Sequence, residues 1–214
     1  MSGFTFPRAF PTHKNVRDIK IRARKVVGVN TSPGSLIAQT YEWPGERWEA
    51  EFSLPLMSRA DGAPWAAWLI SLRGPVGSFL MGDKTGAAPL GAAAANAGTP
   101  QVDGAQLALA RVLNIKTGLG AVAGWLLAGS FLSLGTGASR RLHMVMADAA
   151  LNSSGKATLD IWPALRANVA NNDTVYLTNT TAKFMLATSA PDYTIDTSGR
   201  YQPATISCVE DLRP

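Results

Sequence analysis

Between residues 47 and 54 the chain alternates strictly. Trp48, Ala50, Phe52 and Leu54 fall on one face, and Arg47, Glu49, Glu51 and Ser53 on the other. Successive side chains of a strand point to opposite faces, so this pattern predicts a β-strand with one buried and one wet face, as in an antiparallel sheet. Two more strands are expected upstream, over residues 18–29 and 36–43, separated by the turn residues Thr31-Ser32-Pro33-Gly34. Pro44-Gly45 reads as a second turn, which would pair residues 36–43 with 47–54 as a hairpin. The period then changes. Trp65, Trp68, Leu69 and Leu72 follow the i, i+3, i+4, i+7 spacing of one apolar helix face, with Asp61 as the expected N-cap and Pro64 in the first turn. Two tryptophans on so short a helix point to docking against a sheet. Gly74-Pro75 ends the helix, and residues 76–82 read as a further strand.

The pattern breaks at Lys84. The alanine–glycine stretch from Thr85 to Pro100 has no periodic apolar face and reads as a linker or extended loop. Short β-like runs follow over 102–113 and 124–161. Residues 141–147 and 156–162 form a hairpin candidate around Asn152-Ser153-Ser154-Gly155, because a tight reversal needs residues that tolerate positive φ. Polar residues 168–174 mark a second seam. Final strands are expected over 175–178, 183–187 and 201–209, with Ser198-Gly199 turning between the last two. The resulting expectation is a mainly β chain. Residues 1–84 and 171–214 would form a discontinuous β-sandwich-like domain with one short helix, and 85–170 a small inserted β-barrel-like domain.

Composition agrees with a folded β-rich protein. The 214 residues are 46% hydrophobic and 16% charged, and 20 glycines with 13 prolines favour many short elements. The net charge of +5 is uneven. Arg8, Lys14, Arg17, Lys20, Arg22, Arg24 and Lys25 crowd the first 25 residues, with Asp18 the only acid among them. Such a segment suits a solvated edge strand, a contact with another protein, or nucleic acid; no aromatic interleaving or known motif favours sequence-specific nucleic acid. Cys208 is the only cysteine, which excludes an internal disulfide and a thiolate cluster. No segment reads as a signal peptide, and the weakly polar residues 118–134 hold too many glycines for a spanning helix. The chain is thus expected to be made in a reducing cytoplasm and not to insert into a membrane by itself.

Candidate chemistry is sparse. His13 and His143 have no histidine or cysteine at metal-ligand spacing, so no metal site is expected. The string Gly77 to Thr85 nearly spells a phosphate loop, but Asp83 separates Gly82 from Lys84 and would set a carboxylate beside the phosphates. Gly118, Gly120 and Gly124 lack the strand–helix–strand context of a dinucleotide site, and Gly135-Thr136-Gly137 is a turn. Glu42, Glu46, Glu49 and Glu51 cluster, yet Glu49 and Glu51 share a polar strand face with Arg47 and suit cross-strand charge pairs. No catalytic residue or cofactor is expected, and the chain reads as a non-enzyme.

Three blocks carry a family resemblance. The first runs from Gln39-Thr-Tyr-Glu-Trp-Pro-Gly-Glu-Arg-Trp48 through Leu54-Pro55-Leu56-Met57 and the helix to Gly74-Pro-Val-Gly-Ser-Phe-Leu-Met-Gly-Asp83. The second, residues 124–166, contains Arg141-Leu-His-Met-Val-Met-Ala-Asp148 and Gly155-Lys-Ala-Thr-Leu-Asp-Ile-Trp-Pro-Ala-Leu-Arg166. The third joins Phe184-Met-Leu-Ala187 to residues 201–212. In order and spacing they resemble the distal tail protein of siphophages, the bacteriophages with long non-contractile tails, and of related prophages. Ser130 stands where that family often has an aspartate, and the stretch before Gln101 is richer in alanine.

The resemblance implies a structural virion protein: a homo-oligomeric, hexameric ring at the tail tip. Such a ring would join the tail tube protein to the hub that carries the host-recognition proteins, and would neighbour the tape measure protein. Trp43, Trp48, Trp65 and Trp68 are then expected in the packing of the ring body, and Arg22, Arg24 and Arg47 at subunit contacts. The competing readings are another tail ring or tube component, or a carbohydrate-binding module for host attachment, with Trp125 and Trp162 as candidate sugar platforms.

Overall fold

The structure, a computed structural model, describes residues 4–11, 16–83, 87–189 and 192–213. His13, Lys14, Lys84 and Thr85 lie outside them. The chain opens with two long strands, β1 (Asp18–Thr31) and β2 (Ala38–Leu54), then helix α1 (Arg59–Ser71) and β3 (Ser78–Met81). Eight short strands follow: β4 (Gln101–Val102), β5 (Val112–Lys116), β6 (Val122–Leu126), β7 (Phe131–Leu134), β8 (Arg141–Val145), β9 (Ala149–Leu151), β10 (Lys156–Trp162) and β11 (Val175–Tyr176). The last two are β12 (Ala182–Leu186) and β13 (Ala204–Glu210). The fold is mainly β with one α-helix among the described residues, as the alternation and the single helical period implied.

Two large sheets organise it. The first is antiparallel, in the order β1-β2-β13-β12-β3, and is built from both ends of the chain. The second takes the intervening residues in the order β11-β7-β8-β10-β5-β4. This six-stranded sheet curls into a barrel whose first and last strands meet. Gln101 bridges Thr174, the Val102 N–H donates to the Asp173 carbonyl, and the Val175 N–H donates to that of Pro100. Closure removes the open edges that a small sheet would otherwise expose. A two-stranded sheet, β6 with β9, lies beside it.

Two hydrophobic clusters match the two sheets. Under α1, Trp65, Trp68 and Leu69 pack on Phe52, Phe79 and Phe184 of the first sheet. Phe10 sits edge-on to Phe52, Trp65 and Trp68, with ring centroids 5.2, 5.5 and 5.7 Å away. Every buried member of the barrel's cluster lies between Ala93 and Leu177. The sheets also pack on each other. Trp48 of β2 meets Phe131 and Trp162 of the barrel at 5.7 and 4.5 Å, and its indole Nε1–H donates to the Leu142 carbonyl at 2.9 Å.

Three sequence expectations are corrected, and the open choice for the alanine-rich stretch falls to one of its two alternatives. Pro44-Gly45 is not a hairpin turn: β2 runs through it, and Val26 of β1 stands alone opposite Trp43-Pro44-Gly45 between the pairs Lys25–Glu46 and Val27–Glu42. Proline has no N–H for the ladder, so the strand bulges there instead of reversing. The reversal is at residues 32–37, where the Leu36 N–H donates to the Ser32 carbonyl. The N-cap of α1 is Ser58, whose hydroxyl accepts from the Asp61 N–H, and Pro64 therefore lies past the first turn. The described part of the alanine-rich stretch, residues 87–100, is an extended loop packed on the barrel: Ala93 is buried in its cluster, and a Cβ at Gly91 would come within 2.7 Å of the Gly124 carbonyl. Finally, β11 pairs with β7, so the barrel runs on to Tyr176, past the seam placed at residue 170.

Candidate assembly interface

β1 and β2 are longer than the sheet they belong to. β13 accompanies β2 only from Glu49 to Leu54, so from Ala38 to Glu42 β2 has β1 alone beside it, and the pair projects as a two-stranded arm. Its reach beyond the bulge is about 20 Å at the usual rise of a strand. The arm is apolar and exposed. Val27, Val29, Leu36, Ile37, Tyr41 and Trp43 are 49 to 78% accessible, and no charged residue occurs between Lys25 and Glu42. The register places Val27, Val29, Ala38 and Thr40 on one face, with Tyr41 opposite Gly28 on the other. The Trp43 ring lies over Gly28, within van der Waals reach of where a Cβ would stand there. Two-stranded ribbons are marginal alone, and apolar side chains flanking unpaired backbone edges favour association with another chain.

The arm's root is fixed by charge. Glu46 is buried where β2 re-enters the sheet; its Oε1 accepts from Arg111 Nη2 at 2.7 Å and its Oε2 from the Ala164 N–H at 3.0 Å. Arg111 also reaches Glu42 at 3.0 Å, and Lys25 pairs with Glu42 at 2.5 Å and approaches Glu46 to 3.6 Å. Burial raises the Glu46 pKa, but the Ala164 N–H, Arg111 and Lys25 outweigh it and hold the carboxyl below its ordinary range. Arg111 and Ala164 belong to the barrel half of the chain, so this cluster ties arm, sheet and barrel together.

A second buried cluster closes the same seam at the end of β13. The Arg166 guanidinium donates to Glu210 Oε2 at 2.8 Å, and the Trp48 backbone N–H donates to the same oxygen at 3.1 Å. Asp211 holds Arg213 at 2.8 Å and Lys183 at 3.6 Å. Burial pushes the Lys183 ammonium down from its usual pKa against the pull of Asp211. The signal for these acids was in the sequence: alternation extended two residues past Trp48 and Cys208 puts Glu46 and Glu210 on the buried face.

The structure separates the residues singled out for packing and contacts. Trp48, Trp65 and Trp68 are core, whereas Trp43 is not in the packing but 59% exposed on the arm. Arg22, Arg24 and Arg47 share the open face of the first sheet. Arg22 pairs with Glu51 at 3.1 Å and Arg47 with Glu49 at 2.8 Å, while Arg24 stands opposite Arg47.

His143 is fully inside, its Nδ1–H donating to the Pro163 carbonyl at 2.7 Å, and desolvation lowers its pKa to about 4. Cys208 is buried and its thiol pKa is raised by desolvation. Residues 78–81 of the glycine–lysine string form β3, not a phosphate loop. Among the described residues no group of three or more His, Cys, Asp or Glu could hold a metal, and no helix is long and apolar enough to cross a membrane. Trp125 is buried, and Trp162 is packed edge-on against Trp48, so neither offers a flat platform to a sugar.

Comparison of the sequence with protein-family models and with curated proteins returns no match.

Proposed function

We propose that this chain is a structural assembly protein: a ring-forming component of a siphophage tail tip, joining the tail tube to the host-recognition hub. The observation that carries this reading is the uncharged, apolar β-arm, whose side chains and backbone edges remain unsatisfied in a single copy. A neighbouring copy that accepts the arm at a different surface makes a head-to-tail contact, and such contacts close into rings when the rotation permits. The resemblance of residues 39–83, 124–166, 184–187 and 201–212 to distal tail proteins supports the tail tip as its location. Trp125 and Trp162, the two aromatics that would carry a carbohydrate-binding reading, are turned into packed interfaces, which weighs against it.

Native mass spectrometry of the purified chain tests the assembly half of the proposal. The expected result is one closed species of fixed copy number, reduced to monomer when residues 28–41 are replaced by an Asn-Gly turn. Open-ended polymers would favour a tube protein. A chain monomeric at all concentrations, or a truncated chain that assembles as well as the intact one, would refute the arm as the contact.

A further inference from the structure

At the foot of the arm, where sheet meets barrel, a cleft of about 580 Å³ opens, walled by Pro44, Leu109, Leu165 and Leu212 with Arg141 and Arg166 among them. No acidic residue lines it. Arg141 is half-buried there and has no carboxylate partner among the described residues. Its Nη1 donates to the Ala138 and Arg140 carbonyls, each at 3.2 Å, and its Nη2 to that of Arg213 at 3.3 Å. The nearest acids, Glu210 and Asp211, act on it without direct contact: Glu210 pairs with Arg166 through Oε2 while its Oε1 has no hydrogen-bond partner, and Asp211 pairs with Arg213 and Lys183. Arg166 spends one nitrogen on Glu210, and its buried Nε has no hydrogen-bond partner. A partly desolvated guanidinium held only by long bonds to neutral carbonyls has no carboxylate in contact. Carboxylate and phosphate both match the planar fork of an arginine, and the apolar walls favour the singly charged carboxylate carried by an apolar segment.

We infer that this cleft binds an apolar polypeptide segment of a partner protein through a carboxylate, with Arg141 as its main counter-ion and Arg166 beside it. Leucine and proline walls accept the segment's apolar residues, and the two guanidiniums receive its acidic group. The volume falls in the range of ligand-binding pockets and holds a few residues, not a folded domain. The opening beside Pro44 makes the same end of the molecule present both the arm and the cleft. The inference does not depend on the ring reading: the cleft takes its ligand whether or not the chain forms rings.

The test uses the full chain and three probes: a short leucine-rich peptide with a free C-terminal carboxylate, the same peptide as its C-terminal amide, and octanoate. Titration calorimetry is expected to give tighter binding of the acid than of the amide by about tenfold or more, the worth of a charge-assisted hydrogen bond. Arg141→Gln should abolish that preference. Because Arg141 also braces three carbonyls, Ala167→Glu serves as a second variant. It adds a carboxylate to an exposed position in the cleft wall without touching Arg141, and it should weaken the acid peptide selectively. Equal binding of acid and amide, no binding of either peptide, or a preference unchanged in both variants would overturn the inference. Octanoate binding as tightly as the peptide would overturn the polypeptide as occupant.

Discussion

Single buried residues in this molecule carry sharp consequences. Trp68 is 6% exposed, sits edge-on to Phe79 at 5.0 Å, and donates its indole N–H to the Ala9 carbonyl. Trp68→Ala should therefore cost about 3–5 kcal/mol and lower the melting temperature markedly, and an unchanged melt would contradict its place in the core. His143 makes stability depend on pH. The unfolded chain takes up a proton near the ordinary histidine value of 6.5, whereas the folded chain resists until about 4. Stability thus falls as pH drops through this window, by about 1.4 kcal/mol per unit. Denaturant melts between pH 6.5 and 5 should show a loss of about 2 kcal/mol. His143→Asn, whose amide can still donate to Pro163, should flatten that slope; an equal slope in both proteins would place the titrating group elsewhere.

At the scale of elements, alternation made β2 legible from Arg47 onward, and the 3.6-residue period located the apolar face of α1. The reversal at residues 152–155 also followed from local chemistry, the Asn152 side chain accepting from the Ser154 and Lys156 N–H groups. The expected hairpin of 141–147 with 156–162 did not: β9 enters the turn and pairs with β6, and β8 meets β10 only at Met144 and Val145. Other features left no local trace. Pro44-Gly45 is chemically a turn, and only the partner strand turns it into a bulge. β11 was expected over 175–178, but its membership of the barrel was not legible, because that depends on Leu134, Ser133 and Pro100 lying beside it. The alanine-rich loop is ordered by backbone contacts with the barrel, which composition cannot reveal. The arm was visible as two strands and a turn, but its isolation depends on where β13 ends. The arm's root yields its own prediction. Glu46→Gln leaves Arg111 and Lys25 without their buried counter-charge and should cost about 1–3 kcal/mol. Amide exchange in residues 38–45 should speed up more than in β12. Lowering the pH of the native protein below the ordinary Glu value of 4.5 should reproduce that effect, because a carboxyl with a depressed pKa loses its contribution as it protonates. Equal exchange rates in the variant and the wild type would show that the ion cluster does not hold the arm.

At the scale of the whole molecule, a five-stranded sheet and a nearly closed barrel are clamped by Trp48 and by two buried ion clusters, with helix and barrel covering one face of the sheet. Its longest run of exposed, uncharged residues projects at one end, as the arm. An enzyme concentrates perturbed titratable groups in a cleft. Here the buried charges mostly bind sheet to barrel, with Arg141 the exception beside the cleft. Under the proposed assembly role, that distribution suits a subunit that transmits load through a ring. Legibility follows the same division. The composition break near Lys84 falls between β3 of the first sheet and the barrel strands, but the polar residues 168–174 do not end the barrel. The contact between sheet and barrel depends on pairs such as Glu46 with Arg111 and Glu210 with Arg166, far apart in sequence.

The most direct test of the account is immunogold electron microscopy of phage particles from the source culture, labelled with antibody to this chain. Particles carrying the intact protein should show gold at the end of the tail farthest from the head. Particles produced with the arm-truncated chain in its place should show none. Gold along the tube or at the neck, tip labelling that survives loss of the arm, or particles left unlabelled even after disruption exposes their epitopes would contradict the account.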